Sequence, residues 1–192
     1  MIKKIHQKVS KMYSDNTLTP KEAIRLCALG TLGIESMRYS VLATSVRHFI
    51  SRILGPSLDL LTPSIELLKY EGLVKPVEGK GIGDDASLSI TDKGRDELHN
   101  LLTAEMRSGA SELNKLIVAL KFRFMHFLDA ANRRHQADLL IDVCEEEIDR
   151  LVDLKETAAD DEGFLSEWLD QDISEMKSRL SWLEAFRGRL VY

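Results

Sequence analysis

Cysteine is scarce. The two thiols, Cys27 and Cys144, lie far apart in apolar-patterned segments, with no CxxC and no Cys/His cluster. That excludes a disulfide framework and a zinc site of the usual spacing, and predicts buried thiols in a reducing compartment. No run of about 18 apolar residues occurs, so no membrane-spanning helix is expected. The amino-terminal segment is charged but has no apolar stretch, unlike a secretory leader; the expected location is the cytoplasm. The histidines (His6, His48, His99, His126 and His135) are scattered, without an i, i+4 pair or an HExxH, so no metal is expected. His126, among Phe122, Phe124 and Phe127, reads as a half-buried packing residue. Glu145, Glu146 and Glu147 read as the polar face of a helix, and no nucleophile–base arrangement is apparent. Neither an enzyme nor a cofactor is expected.

One stretch imitates a phosphate loop. Gly79-Lys80-Gly81-Ile82-Gly83 is rich in glycine, but Asp84 and Asp85 follow it, where a nucleotide site needs a Lys-Ser or Lys-Thr opening a helix. The loop is better read as a turn between two strands.

Charge is abundant and uneven. Residues 1–105 carry 14 Lys+Arg against 13 Asp+Glu, and residues 106–192 carry 12 against 18. Lys3, Lys4, Lys8 and Lys11 make residues 1–19 a basic extension. The rest divides by periodicity. Thr19, Pro20 and Glu22 form a helix start, and Ile24, Cys27, Ala28 and Leu32 then fall on one face. A second helix fits residues 39–54 and breaks at Gly55-Pro56. A third runs from about Ser57 to Tyr70, tolerates Pro63 in its first turns, and ends at Gly72. The stretches "LVKPVE" and "ASLSIT" alternate and read as a β-hairpin. Everything beyond is helical, with breaks near Ser108-Gly109, near Asp129 and at "ADDEG". The apolar stripes there are long enough to suggest partner helices from a second copy.

The expected fold is therefore mainly α (α+β). A winged helix-turn-helix domain spans residues 20–107, and a long-helix dimerisation domain spans 108–192. In such a fold the third helix faces the DNA major groove and the hairpin lies along the phosphates.

Residue detail sharpens the expectation. Ser57, Leu61, Pro63, Ile65, Leu68, Gly72 and Leu73, with Ile90, Thr91, Gly94 and Arg95 after the hairpin, resemble the pattern of the PadR family of bacterial transcriptional regulators. MarR-type winged helices are the nearest rival. The resemblance covers roughly residues 20 to 190. It implies a homodimeric regulator, expected to be a repressor, that binds double-stranded DNA at a pseudo-palindromic operator. Arg38, Tyr39, Ser57, Thr62, Ser64, Lys69, Lys75 and Lys80 are the expected DNA-contacting residues. Leu116, Leu120, Phe124, Leu169, Ile173, Met176, Leu180 and Leu183 are the expected dimerisation residues. Some relatives sense small aromatic compounds, and Trp168, Trp182, Phe122, Phe124, Phe127 and Phe186 are candidates to line such a site.

The sequence also departs from the family pattern. Thr62 replaces a tyrosine, Glu66 and Leu67 replace a basic pair, Arg38-Tyr39-Ser40 replaces a His-Gly-Tyr, and the hairpin carries Glu78, Asp84 and Asp85. The alternative is a winged-helix dimer that binds a protein, with weak or no DNA binding.

Overall fold

The computed structural model describes residues 17–55, 62–77, 86–106, 111–158 and 162–190, with only the backbone of Thr62, Pro63 and Ser64. Its first helix, α1 (Pro20–Ile34), opens with a complete capping box. The Thr19 backbone N–H donates to Glu22 Oε2 at 2.7 Å, and the Glu22 N–H donates to Thr19 Oγ1 at 3.3 Å. Two of the helix's orphan amino-terminal donors are thus satisfied.

The apolar face expected of α1 is wider than its sequence period suggests. Ala23, Ile24, Leu26, Cys27, Ala28, Leu29, Gly30, Thr31 and Leu32 are all buried. Neighbours surround the helix: α2 (Tyr39–Leu54), α3 (Thr62–Tyr70), α4 (Asp92–Thr103) and α5 (Glu112–Phe124) all pack on it. A helix enclosed on every side loses its amphipathic signature.

A three-stranded antiparallel sheet completes this head, with β1 (Met37–Arg38) and β2 (Val74–Pro76) flanking β3 (Ser87–Ile90). The hairpin has the expected place; β1 is an addition. Residues 78–85, which include Lys80 and the glycine-rich stretch, lie outside the described residues, as do Ser57 and Leu61.

After the head come α5, a 3-10 turn at Met125–Phe127, α6 (Ala130–Thr157, capped by Asp129) and α7 (Leu165–Arg189). α6 and α7 form an antiparallel pair. Arg187 Nε donates to Asp138 Oδ1 at 2.6 Å near one end, and Lys155 pairs with Asp170 near the other. α5 turns its stripe inward: Leu116, Leu120 and Phe124 are buried, and α5 packs on α1 and α2. Phe124 lies so close to Gly30 that a Cβ added there would sit 2.6 Å from the ring. One hydrophobic core therefore runs from the head through α5 to Leu140, Cys144 and Leu183, across the boundary expected near residue 108.

Lys121 is the least expected member of that core. It is fully buried, and its ammonium donates to Leu102 O (2.8 Å), Ala104 O (2.7 Å) and Gln136 Oε1 (2.6 Å). Three donors meet three acceptors, two of them carbonyls at the negative end of α4. The bond set ties α4, α5 and α6 together.

Burial lowers the pKa of Lys121 from 10.5 to about 8. Between those values the unfolded chain holds the proton more firmly than the folded chain, so this group makes stability rise with pH. A Lys121→Met variant should be less stable than wild type at pH 7, because three acceptors lose their donor. The gap should widen on the order of 2 kcal/mol between pH 8 and 10, as read by urea unfolding. A gap that narrows would contradict this assignment.

Candidate nucleic-acid interface

The register of the sheet decides what its outer face carries. Val74 pairs with Ile90, Lys75 with Ser89, Met37 with Leu88 and Arg38 with Ser87. Directly paired residues point to the same side of a sheet, and alternate residues of one strand share a side. Leu88, Ile90 and Val74 are buried, so Arg38, Ser87, Ser89 and Lys75 together form the opposite, outward side. Arg38 and Lys75 are both exposed there, with β3 between them and on the order of 10 Å separating their strands.

The third helix ends beside this sheet through a Schellman closure. The Leu73 N–H donates to Leu68 O at 2.9 Å and the Gly72 N–H to Lys69 O at 3.1 Å, with Gly72 at φ +73°. The carbonyls that emerge are taken up at once. The Thr91 N–H donates to Leu73 O at 3.0 Å, and the Thr91 hydroxyl lies 2.8 Å from Gly72 O and 3.0 Å from Leu73 O, sharing its proton between them. The same hydroxyl accepts the Gly94 N–H at 3.1 Å as it caps α4. One threonine thus joins the end of α3, the end of β3 and the start of α4.

Ion pairs reinforce the joint. Arg25 on α1 donates to Glu71, just past α3, at 2.8 Å and to Glu97 on α4 at 2.9 Å. Burial works against its charge, but the bonds to Glu97 and Glu71 outweigh that and hold its pKa above the ordinary value. Lys93 Nζ donates to Glu71 O at 2.9 Å. The sequence offers Thr91 or Asp92 as the cap of α4, and Thr91 is the cap; sequence reading missed Arg25 and Glu97 because pairing across 72 residues leaves no local trace.

On α3, Ile65 and Leu68 are buried, while Glu66, Leu67, Lys69 and Tyr70 are exposed, Tyr70 to 91%. Lys69 is the cation this face offers, close to an acid. Arg47 and Arg52 are exposed on α2. Tyr39 is half-buried at the start of α2. Of the expected DNA-contacting residues, Arg38 and Lys75 share one sheet face and Lys69 stands at the α3 end stapled to it. The side chains of Thr62 and Ser64 lie outside the description, like Ser57 and Lys80.

The expected dimerisation residues are placed as follows. Leu116, Leu120, Phe124, Leu169, Ile173 and Leu183 are buried within the single chain, and Met176 and Leu180 are half-buried. The apolar groups left outside are others: Phe164 (85% exposed), Trp168 (57%), Trp182 and Leu154.

The model of the AphA-like transcriptional regulator family matches residues 13–187. The chain belongs to that family. It is therefore a transcriptional regulator and not an enzyme. PadR structures stand among the solved structures to which this AphA-like chain is similar. Bacillus subtilis PadR in complex with operator DNA is 16% identical, with 87% of this chain and 98% of that chain covered and a TM-score of 0.34. The same protein in complex with p-coumaric acid is 16% identical, with 91% and 98% covered and a TM-score of 0.35. Smu.1604c from Streptococcus mutans UA159 is also 16% identical, with 90% and 100% covered and a TM-score of 0.36. No curated protein matches the chain.

His126 departs from expectation. It is exposed, with its ring 4.2 Å from that of Phe127, because the 3-10 turn rotates it out of the core. Burial pushes the Cys27 thiol up to about 12 and raises that of Cys144, so both are held as thiols. Among the described residues, no helix is long and apolar enough to cross a membrane.

Proposed function

We propose that this AphA-like regulator is a cytoplasmic homodimer that represses transcription by binding double-stranded DNA at a pseudo-palindromic site. The observation that carries the reading is the joint of α3 and the sheet. Arg38 and Lys75 share the sheet's outward face, and Lys69 lies at the end of the helix stapled to it. A wing of that kind lies along phosphates while the start of α3 enters the major groove. Among the described residues few cations contribute, so binding should be modest and correspondingly weak in its salt dependence. A shift assay with a duplex from the region upstream of the protein's own coding sequence tests this; no shift at low salt would sink it. The exposed Glu66, Leu67 and Tyr70 favour a second reading, a winged-helix module that docks a protein. That reading gains if the DNA assay fails.

The two copies pair through α7 and the end of α6, where Phe164, Trp168 and Leu154 are exposed. Aromatic groups of this kind dominate interface energies. Trp168→Glu should raise the dimer dissociation constant about 30-fold, equivalent to about 2 kcal/mol, in sedimentation equilibrium. An unchanged dimer would place the interface elsewhere. A small-molecule effector, seated among the carboxy-terminal helices, is the remaining partner.

A further inference from the structure

We propose that the cleft enclosed by α5, α6 and α7 binds an amphipathic carboxylate with an aliphatic body, a medium-chain acyl acid, and that such a ligand is the effector. The regulatory consequence rests on the function proposed above, whereas the binding itself does not.

The cleft measures about 660 Å³, within the range that holds a small-molecule ligand. Its apolar wall is aliphatic and thioether: Met106, Val118, Leu140, Val143, Met176 and Leu183. Methionines reshape readily around a flexible chain. Aromatic side chains line it only through Phe122 and Trp182, and these are already engaged. Their ring centroids stand 5.3 Å apart, and Phe186 packs on both at 5.1 and 5.7 Å. A planar ring would have to compete with that cluster to stack, whereas an acyl chain requires only an apolar wall. Of the aromatic residues expected at an effector site, Phe124 and Phe127 instead pack on Gly30 and Gly33 of the head, and Trp168 lies outside the cleft.

Charge selects the head group. Two acids line the cleft against two cations, and one of the acids is paired. Glu147 is bonded by Arg150 through Nε at 3.2 Å and through Nη2, and Glu112 occupies the first turn of α5, where the helix dipole favours it. The cations Lys115 and Arg179 line the same cleft, and neither enters an ion pair among the described residues. The unspent charge is positive, and it suits a carboxylate.

Occupancy has a mechanical consequence. α5 packs on α1 and α2 of the head, and α7 carries Trp168, with Phe164 just before it, the exposed aromatic groups assigned to the partner. A ligand wedged between α5 and α7 alters the angle between head and dimer, and hence the spacing of the two heads on DNA.

Calorimetric titration of the protein with decanoate, decanol and 3-phenylpropanoate tests the assignment. Decanoate should saturate the protein. Decanol, which lacks the charge, and 3-phenylpropanoate, which lacks the chain, should each bind at least about tenfold more weakly. Arg179→Met alters an exposed residue and should leave the fold intact. It should weaken decanoate about tenfold and leave decanol unchanged. Absence of saturable decanoate binding, equal or tighter binding of 3-phenylpropanoate, or an unaffected Arg179→Met variant would each overturn the proposal. DNA binding is measured separately without ligand, so failure of the regulator reading is distinguishable from failure of this site.

Discussion

Gly94→Ala should destabilise the protein by about 3 kcal/mol or more and abolish DNA binding at concentrations where wild type binds. A Cβ at this position would stand 2.1 Å from Leu73 O and 2.8 Å from Ile90 Cγ1. The first contact is with backbone, which cannot rotate away as a side chain can. Leu73 O is also the acceptor for the Thr91 N–H, so the strain falls on the joint of α3, β3 and α4. Relief requires α4 to back away from Leu73, which breaks the Thr91 bonds and frees the end of α3. For a chain of this size, such a loss corresponds to a fall of roughly 6–12 °C in melting temperature. Thermal unfolding with a matched Thr91→Ala control reads it. A Gly94→Ala protein as stable as wild type would mean that the joint is looser than described.

Neutralising Lys69 and Lys75 together is expected to weaken DNA binding about 100-fold at low salt, tenfold for each lost phosphate contact. The slope of log affinity against log salt should become shallower by about 2. Both side chains are exposed, so Lys69→Gln with Lys75→Gln should leave the melting temperature within measurement error. A salt slope equal to that of wild type would show that these lysines do not face phosphate, and would shift weight to Arg47 and Arg52 on α2. The prediction depends on cations being few. Where a wing is rich in arginine, losing two lysines is buffered; among the described residues the sheet face and the end of α3 offer Arg38, Lys69 and Lys75, so only Arg38 stays.

Much of this architecture is legible in the sequence where its cause is local. Thr19, Pro20 and Glu22 announce the start of α1 and form the capping box. Gly72 announces the end of α3 and takes the positive φ that closes it. The alternation of Leu88 and Ile90 with Ser87 and Ser89 announces a strand with one wet face. What escapes sequence reading has its cause elsewhere in the chain. β1 is two residues long and exists because β3 offers it an edge. Lys121 and Gln136 carry no apolar signal, yet both are buried, because the carbonyl end of α4 and each other supply their partners. The apolar stripe on α5 packs on the head within one chain, and only the fold reveals that α1 has a side to offer. The candidate site is legible in residue type but not in arrangement. That Arg38 and Lys75 share a face follows from the β1–β3–β2 order, which neither segment specifies alone.

The most direct test of the central claim is fluorescence anisotropy of the full-length protein. It is titrated into a labelled duplex from its own upstream region and into a scrambled duplex, across a salt series. Binding should saturate at low salt, prefer the upstream sequence at least about tenfold, and weaken as salt rises. No binding to either duplex at low salt, or equal binding to both, would contradict it.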